Sequence, residues 1–237
     1  MPRSRRLAGQ QLVRRSSGND AALYIRRLIF EGELRPGERV PQDEIAQELG
    51  ISRIPIREAL IALESGGWVT IELHRGAFVT AMDEQAVRDH YELYGMVYGF
   101  AAQRALARKP EDLGDRLIEL ADAINEVDDP EELQNLVIEF HASITGAARS
   151  PRINVVLRAM SGLVPGNFFE LVPSAVEGER RGMSAIAKAM KRGDGERAAS
   201  EYQRMMRRQA DNVVAVLRDR GLLGGASSLA DVRSTVS

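Results

Sequence analysis

Arg53 and Arg57 stand four residues apart in the stretch GISRIPIREALIALESGGW, residues 50–68. A guanidinium stays protonated at any ordinary pH, so it is not a general base. Its planar fork of N–H donors instead matches phosphate oxygens and the O6/N7 edge of guanine. A spacing of four sets the two forks one turn apart on a helix. At about 100° per residue, Ile56, Ala59, Leu60 and Leu63 share one side of that helix while Arg57, Glu58 and Ile61 face elsewhere. Ser52 can cap the helix, and Pro55 falls in its first turn, where an amide has no intrahelical partner to lose. Other chemistry is sparse. The three histidines, His74, His90 and His141, are far apart in sequence, and the chain has no cysteine, no His-Glu-x-x-His and no Gly-rich phosphate loop. Without an acid-base, nucleophile or metal constellation, no catalytic residue, bound metal or cofactor is expected, and an enzyme is disfavoured.

A helix that presents two cations needs elements to hold it. At 237 residues, with 44% hydrophobic and 28% charged residues, the chain suits two folded units. No apolar run approaches the roughly 20 residues that cross a bilayer, and the start MPRSRRLAGQQLVRR lacks the apolar stretch of a signal peptide, so the expected location is cytoplasmic, with no membrane partner. Residues 1–82 hold 12 Lys+Arg against 10 Asp+Glu, whereas residues 83–237 hold 20 against 24. Placement matters more than this small asymmetry. Arg3, Arg5, Arg6, Arg14 and Arg15 crowd residues 1–18, read as a disordered basic arm that either solubilises the chain or touches DNA.

Apolar periodicity predicts a first helix from Asn19 or Asp20 to Gly32, and the loop GELRPGERVP leads to a short helix over Gln42 to Leu49. After the arginine helix, Trp68 to Leu73 and Ala77 to Thr80 have strand character around an HRG turn. Helix, helix, turn, helix and a two-stranded wing is the winged helix-turn-helix order, over residues 19–82, with Arg75-Gly76 at the wing tip. From Asp83 helical patterns take over, at roughly 84–107, 112–126, 130–147, 151–171, 175–192 and 195–219, separated by Pro110, Pro130, Pro151, Pro173 and Gly193-Asp194-Gly195. The fold class is therefore mainly α: a winged helix-turn-helix domain, an all-helical bundle over residues 83–220, and a flexible tail over residues 221–237.

The order PGERV, IAQELGISRIPIREALIALESGGWV and HRGAFV resembles the amino-terminal domain of GntR transcriptional regulators over about Ala21 to Ala81. That resemblance implies that Arg53, Ile54 and Arg57, flanked by Ser52 and Pro55, read or grip operator DNA, with Arg75 and Gly76 inserting from the wing. Asp43 departs from the pattern, standing where some relatives carry a DNA-contacting arginine, which lowers the expected backbone affinity there.

The helical remainder resembles the FCD effector-binding domain of the FadR subfamily, whose metal site uses an Asp and three His. Here only His141 matches; Val137 takes the Asp position, and Met183 and Met205 stand where the other His would lie. One imidazole does not hold a divalent ion tightly, so no metal is expected. Val97 and Ala101 also replace the arginine and glutamate that relatives place in the first helix of this domain. Tyr94, Val97, Val137, His141, Met183 and Met205 are then read either as the lining of a cavity for an apolar effector, such as a fatty acid or acyl-CoA, or as bundle core. The resulting expectation is a homodimeric repressor of a palindromic operator, released by a small effector. The alternatives are a regulator of small-carboxylate type and a constitutive DNA-binding protein whose bundle is filled.

Overall fold

The computed structural model describes residues 17–109 and 111–224. The basic arm therefore lies outside the described residues, apart from Ser17 and Gly18. Those two open α1 (Ser17–Phe30), two residues before the expected start. Its buried stripe of Ala21, Ala22, Ile25 and Ile29 packs against α3 (Arg53–Ser65), which α2 (Gln42–Glu48) also braces. The wing is β1 (Val69–Glu72) paired antiparallel with β2 (Gly76–Val79), in a register that sets Val69 opposite Val79 and Glu72 opposite Gly76. The loop before α2 extends this sheet: Val40 N donates to Ala77 O at 2.8 Å, and Val79 N to Glu38 O at 2.9 Å.

The bundle comprises α4 (Glu84–Ala107), α5 (Leu113–Glu126), α6 (Pro130–Ala148), α7 (Pro151–Met160), the short α8 (Phe168–Leu171), a 3-10 turn at Pro173–Ala175, α9 (Val176–Lys191) and α10 (Gly195–Asp219). Carboxylates at three helix starts accept from amides that have no intrahelical partner: Asp83 for α4, Asp129 for α6 and Asp194 for α10. The central packing is α4 on α10. Gly95 and Gly99 let the two backbones meet, since a Cβ at Gly99 would stand 3.0 Å from Ala199 Cα.

Two expectations are corrected. The pattern over residues 151–171 is two helices rather than one, because Gly162 adopts φ +95° and the chain then runs through Pro165-Gly166 before α8 begins. The tail is not loose from residue 221. Leu222 is buried, and β4 (Leu223–Gly224) pairs in parallel with β3 (Met82–Asp83), tying the end of the bundle to the linker after the wing. Residues 225–237 lie outside the described residues.

Candidate functional site

The arginine helix α3 buries Ile56, Ala59, Leu60 and Leu63, and this fixes its opposite side in solvent. Arg57 is exposed there and forms no ion pair among the described residues, while Ile54 is 69% exposed beside it. Arg53 is the first residue of the helix and pairs with Asp43, Nε to Oδ1 at 2.6 Å. Both partners are mostly exposed, so the pair contributes at most about 1 kcal/mol and yields easily to a phosphate. Ser52 has the extended backbone of an N-cap, but its side chain makes no capping hydrogen bond; Pro55 lies in the first turn as expected. At the wing tip Arg75 pairs with Glu72 and lies over the Phe78 ring, 5.4 Å from its centroid. A Cβ on Gly76 would meet Arg39 Nε at 2.8 Å, so the bare glycine lets a second cation lie along the wing.

The bundle contains a cavity of about 680 Å³. His90, Tyr91, Tyr94 and Tyr98 of α4 form one wall, and Val137 and His141 of α6 another. Glu179 of α9 and Gln209 of α10 close the far side. The His141 ring stacks on Tyr98 with centroids 4.2 Å apart, and its Nδ1 lies 3.2 Å from Tyr202 Oη. Burial pushes the His141 imidazole down to about 3, which keeps it neutral. Burial acts on Glu179 in the opposite sense, raising its carboxyl to about 7 although Gln209 Nε2 donates to Oε2.

Tyr94, Val137 and His141 line this cavity as expected from the sequence, but Val97, Met183 and Met205 do not. Val97 is a partly buried residue packed against the core. Met183 and Met205 are buried within the core, where Met205 packs onto the bare Cα of Gly182. The α9 side chain that reaches the cavity is Glu179, one turn before Met183. Among the described residues no cluster of three or more His, Asp or Glu is placed to hold a metal ion.

A second cleft of about 420 Å³ lies between the head and the bundle. Ala22, Arg26 and Trp68 line it from the head, and His90 with the segment Ala159–Leu163 from the bundle. His90 and residues 160–163 line both spaces, so one thin wall separates the interior cavity from the joint. Across that wall Arg26 Nη1 donates to Gly162 O at 2.9 Å, while its buried Nε has no partner.

Residues 17–79 match the family described as bacterial regulatory proteins, gntR family, and residues 89–208, about half of the chain, match the FCD domain. The chain belongs to the GntR family and carries an FCD domain. An uncharacterized HTH-type transcriptional regulator of Mycobacterium tuberculosis is 34% identical over 146 residues, 62% of this chain and 60% of that protein. The Nta operon transcriptional regulator of Aminobacter aminovorans is 33% identical over 131 residues, covering 54% of this chain and 61% of that one. The matches thus span about three fifths of these curated relatives. Among solved structures, E. coli McbR/YncC superposes with a TM-score of 0.58 at 18% identity, covering 86% of this chain and 98% of that one, a likeness of fold. The families and relatives that match are transcriptional regulators and not enzymes.

In this GntR-family chain, sequence reasoning missed Arg39, Glu179 and Gln209. Arg39 joins the wing through a pairing with Phe78 that spans almost 40 residues, a contact no local pattern encodes. Glu179 had a signal: on the helix 176–191 it sits among Gly178, Gly182, Met183 and Ile186 on the buried face.

Proposed function

We propose that the chain is a cytoplasmic, DNA-binding transcriptional regulator of FadR type, a homodimeric repressor whose two heads address the half-sites of a palindromic operator and whose FCD cavity takes a small effector that releases it. The observation that carries the DNA reading is α3: its buried face fixes its orientation, leaving Arg53, Ile54 and Arg57 in solvent at its amino end, and the wing adds the cations Arg75 and Arg39. One head offers few contacts, and linking two makes the second engagement nearly intramolecular. The dimer reading rests on α4, where Leu93, Met96 and Phe100, spaced i, i+3 and i+7, form an apolar stripe that is about half exposed.

Release follows from the shared wall. An effector that moves residues 160–163 from inside also moves the carbonyl that holds Arg26, and with it the head; a useful coupling is about 1–3 kcal/mol. The cavity volume supports an effector-bearing bundle over a filled one. A fatty acid or acyl-CoA suits the apolar walls, but an anionic group suits them only near Arg158, which is exposed, because both lining histidines are shifted toward the neutral form by burial. Selection of bound duplexes from a random pool, with the mass of the protein–DNA complex measured on the winner, tests this function. A two-fold symmetric site bound by two chains is the expected result; an asymmetric site bound by one chain overturns the dimer reading, and enrichment of no sequence overturns the operator reading.

A further inference from the structure

We propose that the cavity selects a cationic effector, an amine or quaternary ammonium whose positive end lies between the Glu179 carboxyl and the rings of Tyr91 and Tyr94, with an apolar remainder toward the Met160–Gly166 segment. The inference rests on the reading of the cavity as the effector site and names what that site recognises. Glu179 is 4% exposed and lines the cavity. Gln209 Nε2 donates to one of its oxygens, Oε2, and among the described residues no Lys or Arg forms an ion pair with it. No Lys lines the cavity, and its one lining Arg, Arg158, is exposed. Burial therefore favours the protonated acid, and its ionised form is costly in the cavity unless a ligand brings the opposite charge.

The groups around it point the same way. Tyr91, Tyr94 and Tyr98 line the cavity on α4, and Tyr202 stacks behind Tyr98 with centroids 5.3 Å apart. Tyrosine rings present negative faces to a cation, and several rings with one carboxylate make the usual receptor for alkylated ammonium groups. All four phenols are held above their ordinary value by burial, and Glu179 adds to the shift, so they remain neutral hydroxyls. His90 and His141 are pushed toward the neutral form by burial and do not compete with the cation. The acid is itself poised at about 7, so an arriving cation would favour its ionised form.

The test measures affinity of the full chain for three probes of equal size, 2-phenylethylamine, 2-phenylethanol and phenylacetate, by calorimetry, together with Glu179→Gln. The amine should bind about tenfold more tightly than the alcohol, and the carboxylate more weakly than either. In E179Q the amine should fall to the level of the alcohol while the alcohol keeps its affinity, which also reports that the cavity is intact. Equal binding of amine and carboxylate, an unchanged amine preference in E179Q, or no amine binding at millimolar concentration would each overturn the proposal. Amine binding that leaves operator affinity unchanged supports the ligand class and defeats the effector reading on which it rests.

Discussion

Glu179→Gln should stabilise the protein above neutral pH and do nothing in acid. The folded state holds this carboxyl at about 7, against 4.5 for an ordinary glutamate, and the cause is burial. Between those values the folded chain keeps a proton that the unfolded chain has released, so stability falls as pH rises through this window. Below the unfolded value both states are protonated and the cost vanishes; above the folded value the cost is constant. At about 1.4 kcal/mol per unit the ceiling is about 3 kcal/mol. Glutamine preserves the shape and can still accept from Gln209 Nε2, so the difference between the proteins isolates the charge. His141 has the opposite slope, since burial holds it at about 3 and wild-type stability falls as pH drops below its ordinary value, but both proteins share it. Urea unfolding at about pH 5 and about pH 8 reads the result. With a slope near 2 kcal/mol/M the variant's midpoint should exceed wild type by about 1.5 M in alkali, shrinking strongly in acid. A gain equal at both values, or none in alkali, would show that the carboxyl is already neutralised inside the protein.

Arg57→Ala should weaken specific operator binding by about 1–3 kcal/mol with no change in melting temperature, as read by anisotropy titration and a thermal melt, because its side chain is exposed and unpaired among the described residues. Asp43→Asn frees Arg53 and should tighten binding to any duplex, with the slope of log affinity against log salt steeper by about one; an unchanged slope means that Arg53 makes no phosphate contact. Gly162→Ala should loosen the head from the bundle, since the backbone there is at φ +95° and a Cβ would press on Arg26 Nη1; proteolysis in the linker, residues 80–83, should quicken while helical circular dichroism is kept.

The arginine helix was legible because all its determinants are local: four apolar positions on one side, a proline in the first turn and a glycine after the last. The same holds for α4 and α10, whose predicted bounds agree with those found. What failed was long-range. The 151–171 segment carries enough Leu, Val and Phe to read as one helix, and only the positive φ at Gly162 shows that the chain turns there to face both cavity and head. Similarly, the FCD resemblance points to Met183 and Met205 as cavity residues, whereas the side chains of α9 and α10 that line it are Glu179, Met206 and Gln209. A carboxylate on an otherwise apolar helix face was the visible clue, and its meaning depends on neighbours that the sequence does not reveal.

The joint between head and bundle carries several exchangeable polar contacts beside its buried apolar residues. It includes one hydrogen bond from Arg26, one from Arg220 Nη1 to Phe30 O at 2.8 Å with the guanidinium over the Phe30 ring, and a two-residue parallel strand pair. The Arg26 guanidinium is partly desolvated, its pKa is lowered by burial, and its Nε is unsatisfied, so the folded arrangement retains a cost that a small displacement would relieve by admitting water. On the proposed reading this is what a ligand of ordinary affinity requires. A ligand shifts two states only by the difference in its affinity for them, and about 1–3 kcal/mol of such difference is a useful coupling.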